Sequence, residues 1–160
     1  MSSVGRESTA AEHPAIPKGR RLVAVDPDAD AYTALTIMRR NEVRHLPVVL
    51  DGRCIGLLTE TDLLRGLASP VSAAELTAGM LCHRPAPAVP AGSSLPAMAA
   101  TMIEAGADAA IVVSNGAMVG MVTSSDVLGA VTGKWRANGG LGAGNQRPAV
   151  VRSNDLGTAP

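Results

Sequence analysis

The chain has 160 residues, and its 14 Lys and Arg residues balance 14 Asp and Glu residues. This length suits one compact domain or two small halves that share a core. The lack of a net positive charge argues against binding through a basic field over nucleic acid or anionic lipid. One Trp, one Tyr and no Phe also leave almost nothing on which unpaired bases stack. We therefore expect neither a nucleic acid nor a membrane as a partner.

The two ends of the chain differ in composition from its middle. Residues 1–17 are polar and interrupted by proline, and residues 135–160 are rich in glycine without periodicity, so both are predicted to be disordered tails. The glycines between Gly139 and Gly144 do not have the G-x-G-x-x-G spacing of a dinucleotide loop.

The first twenty residues hold no apolar run, and no stretch is long enough to span a membrane, which predicts a cytoplasmic protein.

The middle of the chain contains an internal repeat. When the chain is shifted by 64 residues, residues 22–67 align with residues 86–131 without a gap and with 10 identities over 46 positions. A unit of this size cannot bury its apolar face alone, whereas two copies packed face to face can. We predict an α+β (α/β) fold with one unit over residues 18–70 and a second, introduced by a linker helix, over residues 71–134.

Each copy is predicted to begin with a strand and a helix. Leu22–Val25 is a short apolar strand, and Asp30 is a helix cap that precedes apolar residues at helical spacing. In the second copy Ser94 takes the place of Asp30, and Pro96 falls in the first turn, where proline is tolerated.

The second half of each copy is predicted to be a β-hairpin followed by a short helix. In the first copy, strands over residues 46–50 and 54–58 flank Asp51-Gly52, and the second copy has Asn115-Gly116 at the equivalent turn. Thr59 then begins a helix that runs to about Leu67.

The motifs of the two copies together resemble a known family. Gly-hydrophobic-hydrophobic-Thr-x-x-Asp occurs at residues 56–62 and again at residues 120–126, and Val-Arg-His-Leu-Pro-Val-Val at residues 43–49 precedes the Asp-Gly turn. Leu-Thr-Ala-Gly-Met at residues 76–80 is similar to the short helix that introduces a unit. From about Ile16 to Gly133 the chain resembles the CBS domain pair, or Bateman module. The resemblance implies pseudo-twofold packing, with two clefts between the units.

The resemblance also implies a stand-alone regulatory protein that is not an enzyme and requires no cofactor. Many members bind an adenosyl ligand such as AMP, ADP, ATP, S-adenosylmethionine or NAD, with the motif Asp on the ribose hydroxyls and the Thr or Ser near the phosphates. Carried over to this chain, these ligand-binding residues are Thr59, Asp62, Thr123, Ser125 and Asp126. A homodimer and an unknown regulated protein are the implied partners. A ligand-free dimerisation or scaffolding module is the alternative, and a regulatory enzyme subunit is a third.

The chemistry of the Thr-x-x-Asp motif allows two interpretations. The carboxylate of Asp62 or Asp126 accepts two hydrogen bonds from a vicinal diol, and the helix that begins at Thr59 offers N–H groups to a phosphate. The same residues are close to a capping box, in which Thr59 and Asp62 bond to each other's backbone N–H. The two roles are compatible because a carboxylate has two oxygens.

The differences between the copies predict unequal clefts. Arg44 and His45 of the first copy become Asp108 and Ala109 in the second, so we expect the cleft served by Arg44 and His45 to be the better phosphate site. A solvated surface charge at Arg44 and a partly buried strand histidine at His45 are the alternatives.

The histidines and cysteines show no metal-binding spacing, and no nucleophile motif occurs, so we expect no metal and no catalytic residue. Cys54 and Cys82 are interpreted as small buried hydrophobic residues.

Overall fold

The computed structural model describes residues 22–133 and the backbone of residues 149–151, and it confirms two β-α-β-β-α units. The first unit consists of β1 (Val23–Val25), α1 (Ala31–Arg40), β2 (His45–Leu50), β3 (Arg53–Thr59) and α2 (Glu60–Leu67). The second unit follows a short helix α3 (Ala78–Leu81) and consists of β4 (Ala88–Pro90), α4 (Leu95–Ala105), β5 (Ala109–Ser114), β6 (Ala117–Thr123) and α5 (Ser124–Thr132). None of the helices within the described residues is long and apolar enough to cross a bilayer.

The two hairpins follow the same construction. In the first unit β2 and β3 pair antiparallel, and the central turn residues Asp51 and Gly52 have φ values of 49° and 76°. The equivalent Asn115 and Gly116 have φ values of 49° and 75°. Positive φ at both positions is what a two-residue hairpin turn requires, which explains the Asp-Gly and Asn-Gly pairs. The turns predicted from the sequence are therefore confirmed.

The predicted helix starts are also confirmed. The Asp30 side chain accepts a hydrogen bond from the backbone N–H of Thr33 at 2.9 Å, and Ser94 accepts one from Ala97 at 3.3 Å. Pro96 lies in the first turn of α4, where its missing N–H has no partner to lose.

The apolar residues of each unit form a core between its sheet and its helices. In the first unit the largest fully buried side chains are Ile37, Met38, Leu46, Leu58 and Leu63. The core of the second unit contains smaller side chains and two methionines, Met98 and Met102. Few aromatic residues are available to the chain, so these cores are filled by many aliphatic contributors.

A third cluster joins the two units, and it is built from equivalent positions of the repeat. Val49 and Val113 both belong to it, as do Cys54 and Met118, each pair separated by 64 residues. When the same positions of two copies meet, the copies are related by an approximate twofold axis. Packing of this kind places matching ends of the two hairpins next to each other.

The C-terminal segment adds a strand that the sequence analysis did not predict. β7 (Ala149–Val151) pairs in parallel with β1, with Val23 opposite Ala149, so the first sheet has the order β3-β2-β1-β7. The predicted disorder of residues 135–160 is therefore wrong for these three residues. Composition alone missed the strand because β1 supplies an open edge only in the folded protein. The remaining residues of both predicted tails, 1–17 and most of 135–160, lie outside the described residues.

Candidate functional site

A cavity of about 790 Å³ lies where the two units meet. The first unit contributes the ends of β2 and β3 and the first turns of α2, including Arg44, Thr59 and Asp62. The segment before β4 contributes residues 83–85 and Pro87, and the second unit contributes residues 105–108. Residues from both units therefore form the walls of one site.

Asp62 is held at this cavity by the start of α2. Its Oδ2 accepts hydrogen bonds from the backbone N–H of Thr59 at 3.0 Å and from the Thr59 hydroxyl. The Thr59 hydroxyl oxygen in turn accepts from the Asp62 N–H at 3.1 Å, which completes a capping box. The capping interpretation of the motif is thus confirmed, and it engages only one of the two carboxylate oxygens.

The second oxygen of Asp62 has a partner from another part of the chain. Nε2 of His83 lies 2.9 Å from Asp62 Oδ1, and the carboxylate is only an acceptor, so the imidazole N–H donates this bond. Asp62 is 7% exposed, whereas the side chain of His83 is 64% exposed. A nearly buried carboxylate therefore bonds to a largely exposed side chain on the cavity wall.

The same capping box occurs in the second unit, away from this cavity. Thr123 donates its N–H and its hydroxyl to Asp126 Oδ2, each at 2.8 Å, and Asp126 is buried. Ser125 is exposed on the first turn of α5. Thr123, Ser125 and Asp126 do not line the cavity around Asp62, and their assignment to a second cleft stays a prediction.

Arg44, His45 and Asp108 lie together rather than in separate clefts. His45 Nε2 is 2.8 Å from Asp108 Oδ1, a contact between the first and the second unit, and both residues line the cavity with Arg44. The expectation of unequal clefts placed Asp108 in the other cleft, and this premise is wrong. The approximate twofold axis brings equivalent positions 44 and 108 to the same site. The His45 side chain is 10% exposed, so this strand histidine is buried to a greater degree than the expected partial burial.

The positively charged groups that line the cavity are the guanidinium groups of three arginines. Arg44, Arg65 and Arg84 line it, and the acidic groups beside them are Glu60, Asp62 and Asp108. The N–H of Glu60 already donates to the carbonyl of Arg44 at 2.9 Å, and that of Asp62 donates to Thr59. Two of the N–H groups expected to face a phosphate, those of Glu60 and Asp62, are therefore already bonded within the protein.

Three residues that line the cavity were not predicted as site residues from the sequence: Arg65, His83 and Arg84. Arg84 carried a usable signal, because Arg20 occupies the equivalent place before the first strand of the other unit. His83 carried none, since Gly19 is its equivalent in the alignment. The segment that contains His83 and Arg84 reaches the site because His83 and Leu57 exchange backbone hydrogen bonds at 2.9 and 3.1 Å.

Gly56 allows this segment to approach β3 closely. A Cβ at Gly56 would lie 2.5 Å from Cys82 Sγ and 2.8 Å from the carbonyl oxygen of His83, distances that real side chains do not adopt. The glycine of the motif is therefore required for close approach of residues 82–84, and close approach of another backbone is a known role of glycine inside strands.

Neither cysteine forms a disulfide, and both are half-buried. Burial raises the pKa of the Cys54 thiol, with a smaller contribution from nearby Cys82. A raised pKa keeps the thiol protonated and unreactive, in keeping with a packing role. Among the described residues no group of three or more His, Cys, Asp or Glu side chains is placed to hold a metal ion.

Comparison with known proteins identifies the same type of domain in both repeats. The family model named CBS domain matches residues 19–69 and residues 78–133. Protein MJ1225 of Methanocaldococcus jannaschii is 29% identical over 118 residues, which are 73% of this chain and 42% of that protein. The chain thus spans less than half the length of this relative.

Solved structures share the fold at lower identity. The CBS domain pair of protein MJ0100, in complex with 5′-methylthioadenosine and S-adenosyl-L-methionine, has a TM-score of 0.65 and 22% identity over 73% of this chain and 93% of that one. The CBS domain of a bacterial CNNM/CorC family Mg²⁺ transporter, in complex with ATP, has a TM-score of 0.62 and 23% identity over 71% of this chain and 80% of that one. With one family model matching each of its two repeats, the chain belongs to the CBS domain family and contains a CBS domain pair.

Proposed function

We propose that this CBS pair binds an adenosine-containing small molecule in the cavity around Asp62 and regulates another protein without catalysing a reaction. The observation that carries the proposal is the nearly buried Asp62 carboxylate in a cavity that three arginines also line. A carboxylate suits the sugar hydroxyls of a nucleoside, and guanidinium groups suit a phosphate or another anionic substituent. AMP, ADP, ATP, S-adenosylmethionine and NAD are the ligand types that combine an adenosine with such a substituent.

The dimensions of the cavity fit this class of ligand. Its volume of about 790 Å³ lies within the roughly 300–1,000 Å³ of cavities that hold small molecules. Leu57, Pro85, Pro87 and Ala107 provide apolar surface beside the charged groups. An adenine ring would pack between such aliphatic side chains, because the described residues that line the cavity include no Phe, Tyr or Trp.

Asp62 is the proposed ribose ligand. The capping box fixes the carboxylate through Oδ2, so the orientation of the group is set before any ligand arrives. Preorganisation of this kind lowers the cost of binding, because no further side-chain freedom has to be lost. Oδ1 is then the oxygen to which a sugar hydroxyl would donate.

Arg44, Arg65 and Arg84 are the proposed contacts for an anionic group. Arg44 is weakly held, since its Nε lies 3.6 Å from Glu60 and its side chain is 82% exposed. A phosphate is able to draw this guanidinium from Glu60 at little cost, because exposed ion pairs of this type contribute about 0.2–1 kcal/mol. The ligands of the solved CBS structures, ATP in one and S-adenosyl-L-methionine in the other, support an adenosyl ligand of either type.

Regulation would follow from the position of the cavity between the units. A ligand that contacts Asp62 of the first unit and residues 105–108 of the second would stabilise the arrangement in which the two walls of the cavity lie close to each other. Binding then shifts the population toward that arrangement, and a partner protein that prefers it responds.

A ligand-free dimerisation or scaffolding module is the second candidate, and one feature of the surface favours it. Ile103 on α4 and Leu128 and Val131 on α5 are exposed large apolar side chains on neighbouring helices of the second unit. Apolar patches on a surface commonly mark a contact with another protein. We propose a homodimer through this face, for which light scattering would give twice the chain mass of 16.2 kDa.

A thermal-shift panel separates the two candidates. We expect at least one of AMP, ADP, ATP, S-adenosylmethionine and NAD to raise the melting temperature by several degrees, since a ligand at about 100 times its Kd adds about 2.7 kcal/mol. As a matched control, 2′,3′-dideoxy-ATP keeps the phosphates of ATP but lacks both ribose hydroxyls, and it should give a smaller shift than ATP. A melting temperature that no ligand moves at millimolar concentration would leave the scaffold as the better account.

A further inference from the structure

The acceptor positions of Asp62 are almost fully used by the protein itself. A carboxylate has about four acceptor positions, two on each oxygen. Oδ2 accepts from the Thr59 N–H and the Thr59 hydroxyl, and Oδ1 accepts from His83. The described residues leave one position open, whereas the two hydroxyls of a ribose need two. Both hydroxyls therefore bind only after one of the existing donors has left.

The three hydrogen bonds to the Asp62 carboxylate differ in how much stability the protein would lose if each were broken. The two from Thr59 belong to the capping box, and losing them would also weaken the start of α2. His83 comes after the last residue of α3, and its side chain is 64% exposed, so it is able to turn into solvent without disturbing a helix. Its backbone stays paired with Leu57 whatever the side chain does.

We propose that His83 is a specificity-determining residue that occupies the ribose position of Asp62 in the free protein and is displaced by the ligand. This inference rests on the proposed function of the cavity. It makes His83 a competitor of the sugar: a ligand with two hydroxyls replaces the imidazole N–H fully, whereas a ligand with one hydroxyl or none leaves His83 in place. The contact thereby narrows the preference of the site for ribose over deoxyribose, because only a ribose has to displace the imidazole.

The expected consequence is that removal of His83 strengthens binding. Calorimetric titration of the full chain with 5′-methylthioadenosine, which has no phosphate, avoids any contribution of the imidazole to anion binding. We expect His83→Ala to bind this ligand about two- to fivefold more tightly than the unmodified protein, the range of an exposed ion pair. The ratio of the affinities for 5′-methylthioadenosine and its 2′-deoxy form should rise in the variant, because only the ribose form has to displace the imidazole in the unmodified protein.

A second measurement follows the His83 side chain in the unmodified protein itself. The chain has three histidines, so the ring signals in a proton–carbon NMR spectrum are few, and the spectrum of His83→Asn assigns the signal of His83. Saturation with 5′-methylthioadenosine should move that signal toward the position of a histidine in an unstructured peptide.

The outcomes separate this inference from the proposed function. If the unmodified protein binds 5′-methylthioadenosine while His83→Ala binds it equally or more weakly, or if the His83 signal stays in place at saturation, displacement is contradicted and the proposed function stands. If neither the unmodified protein nor His83→Ala binds 5′-methylthioadenosine, ATP or S-adenosylmethionine, both are contradicted.

Discussion

Asp62→Asn is expected to weaken the binding of 5′-methylthioadenosine by about ten- to a hundredfold. Hydrogen bonds to a charged acceptor contribute roughly 1.5–3 kcal/mol each when shielded from water, and about 1.4 kcal/mol corresponds to a factor of ten. Asparagine keeps the size of the side chain and one acceptor for the Thr59 N–H, so α2 retains part of its cap. Calorimetric titration of the variant measures the loss directly.

Asp126→Asn is the matched control for this prediction. It changes the same residue type in the equivalent capping box on α5, so any cost to stability should be similar. Because Asp126 does not line the cavity around Asp62, we expect its replacement to weaken binding less. If Asp126→Asn removed binding while Asp62→Asn kept it, the ligand would belong to the other cleft.

The second large effect is predicted for Gly56→Ala. The added methyl group would lie 2.5 Å from Cys82 Sγ and 2.8 Å from the carbonyl oxygen of His83. That carbonyl accepts the N–H of Leu57, so it moves only if the backbone pairing between the two segments weakens. Overpacking of this kind costs about 1–3 kcal/mol, which corresponds to a lower melting temperature by roughly 2–12 °C. Ligand binding should weaken as well, because His83, Arg84 and Pro85 form one wall of the cavity.

Gly52→Ala in the same hairpin provides the control for Gly56→Ala. A Cβ at Gly52 meets nothing within 4 Å, so its cost comes only from the positive φ of 76°, about 1–2 kcal/mol. The turn does not line the cavity, and ligand affinity should stay close to that of the unmodified protein. Equal affinities for Gly56→Ala and Gly52→Ala would show that β3 tolerates the methyl group and that close approach of residues 82–84 is unnecessary.

The parts of the fold that the sequence predicted are those determined by neighbouring residues. Asp51-Gly52 and Asn115-Gly116 predicted the hairpins because each turn needs positive φ at its own two residues. Asp30 and Ser94 predicted helix starts because a cap bonds to an N–H three residues away. The 64-residue repeat extended each local prediction to both units, and the fold class followed from it.

The site was predicted only in part, because the set of residues that line it depends on contacts between distant segments. Thr59, Asp62, Arg44 and His45 were identified and do line one cavity. Asp108 was assigned to the wrong cleft, because the pairing of equivalent positions across the units is a property of packing and is absent from the alignment itself. His83 and Asp62 are 21 residues apart in the sequence, and β7 lies more than 120 residues after its partner β1. Neither contact is predictable from a pattern among neighbouring residues.

The most direct test of the proposed site is a crystal structure of the chain grown with saturating 5′-methylthioadenosine. We predict the ligand in the cavity between the units, with both ribose hydroxyl oxygens about 2.5–3.0 Å from the Asp62 carboxylate. A structure in which the cavity is empty at saturation, or in which the ligand occupies another place while Asp62 keeps all its present partners, would contradict the account.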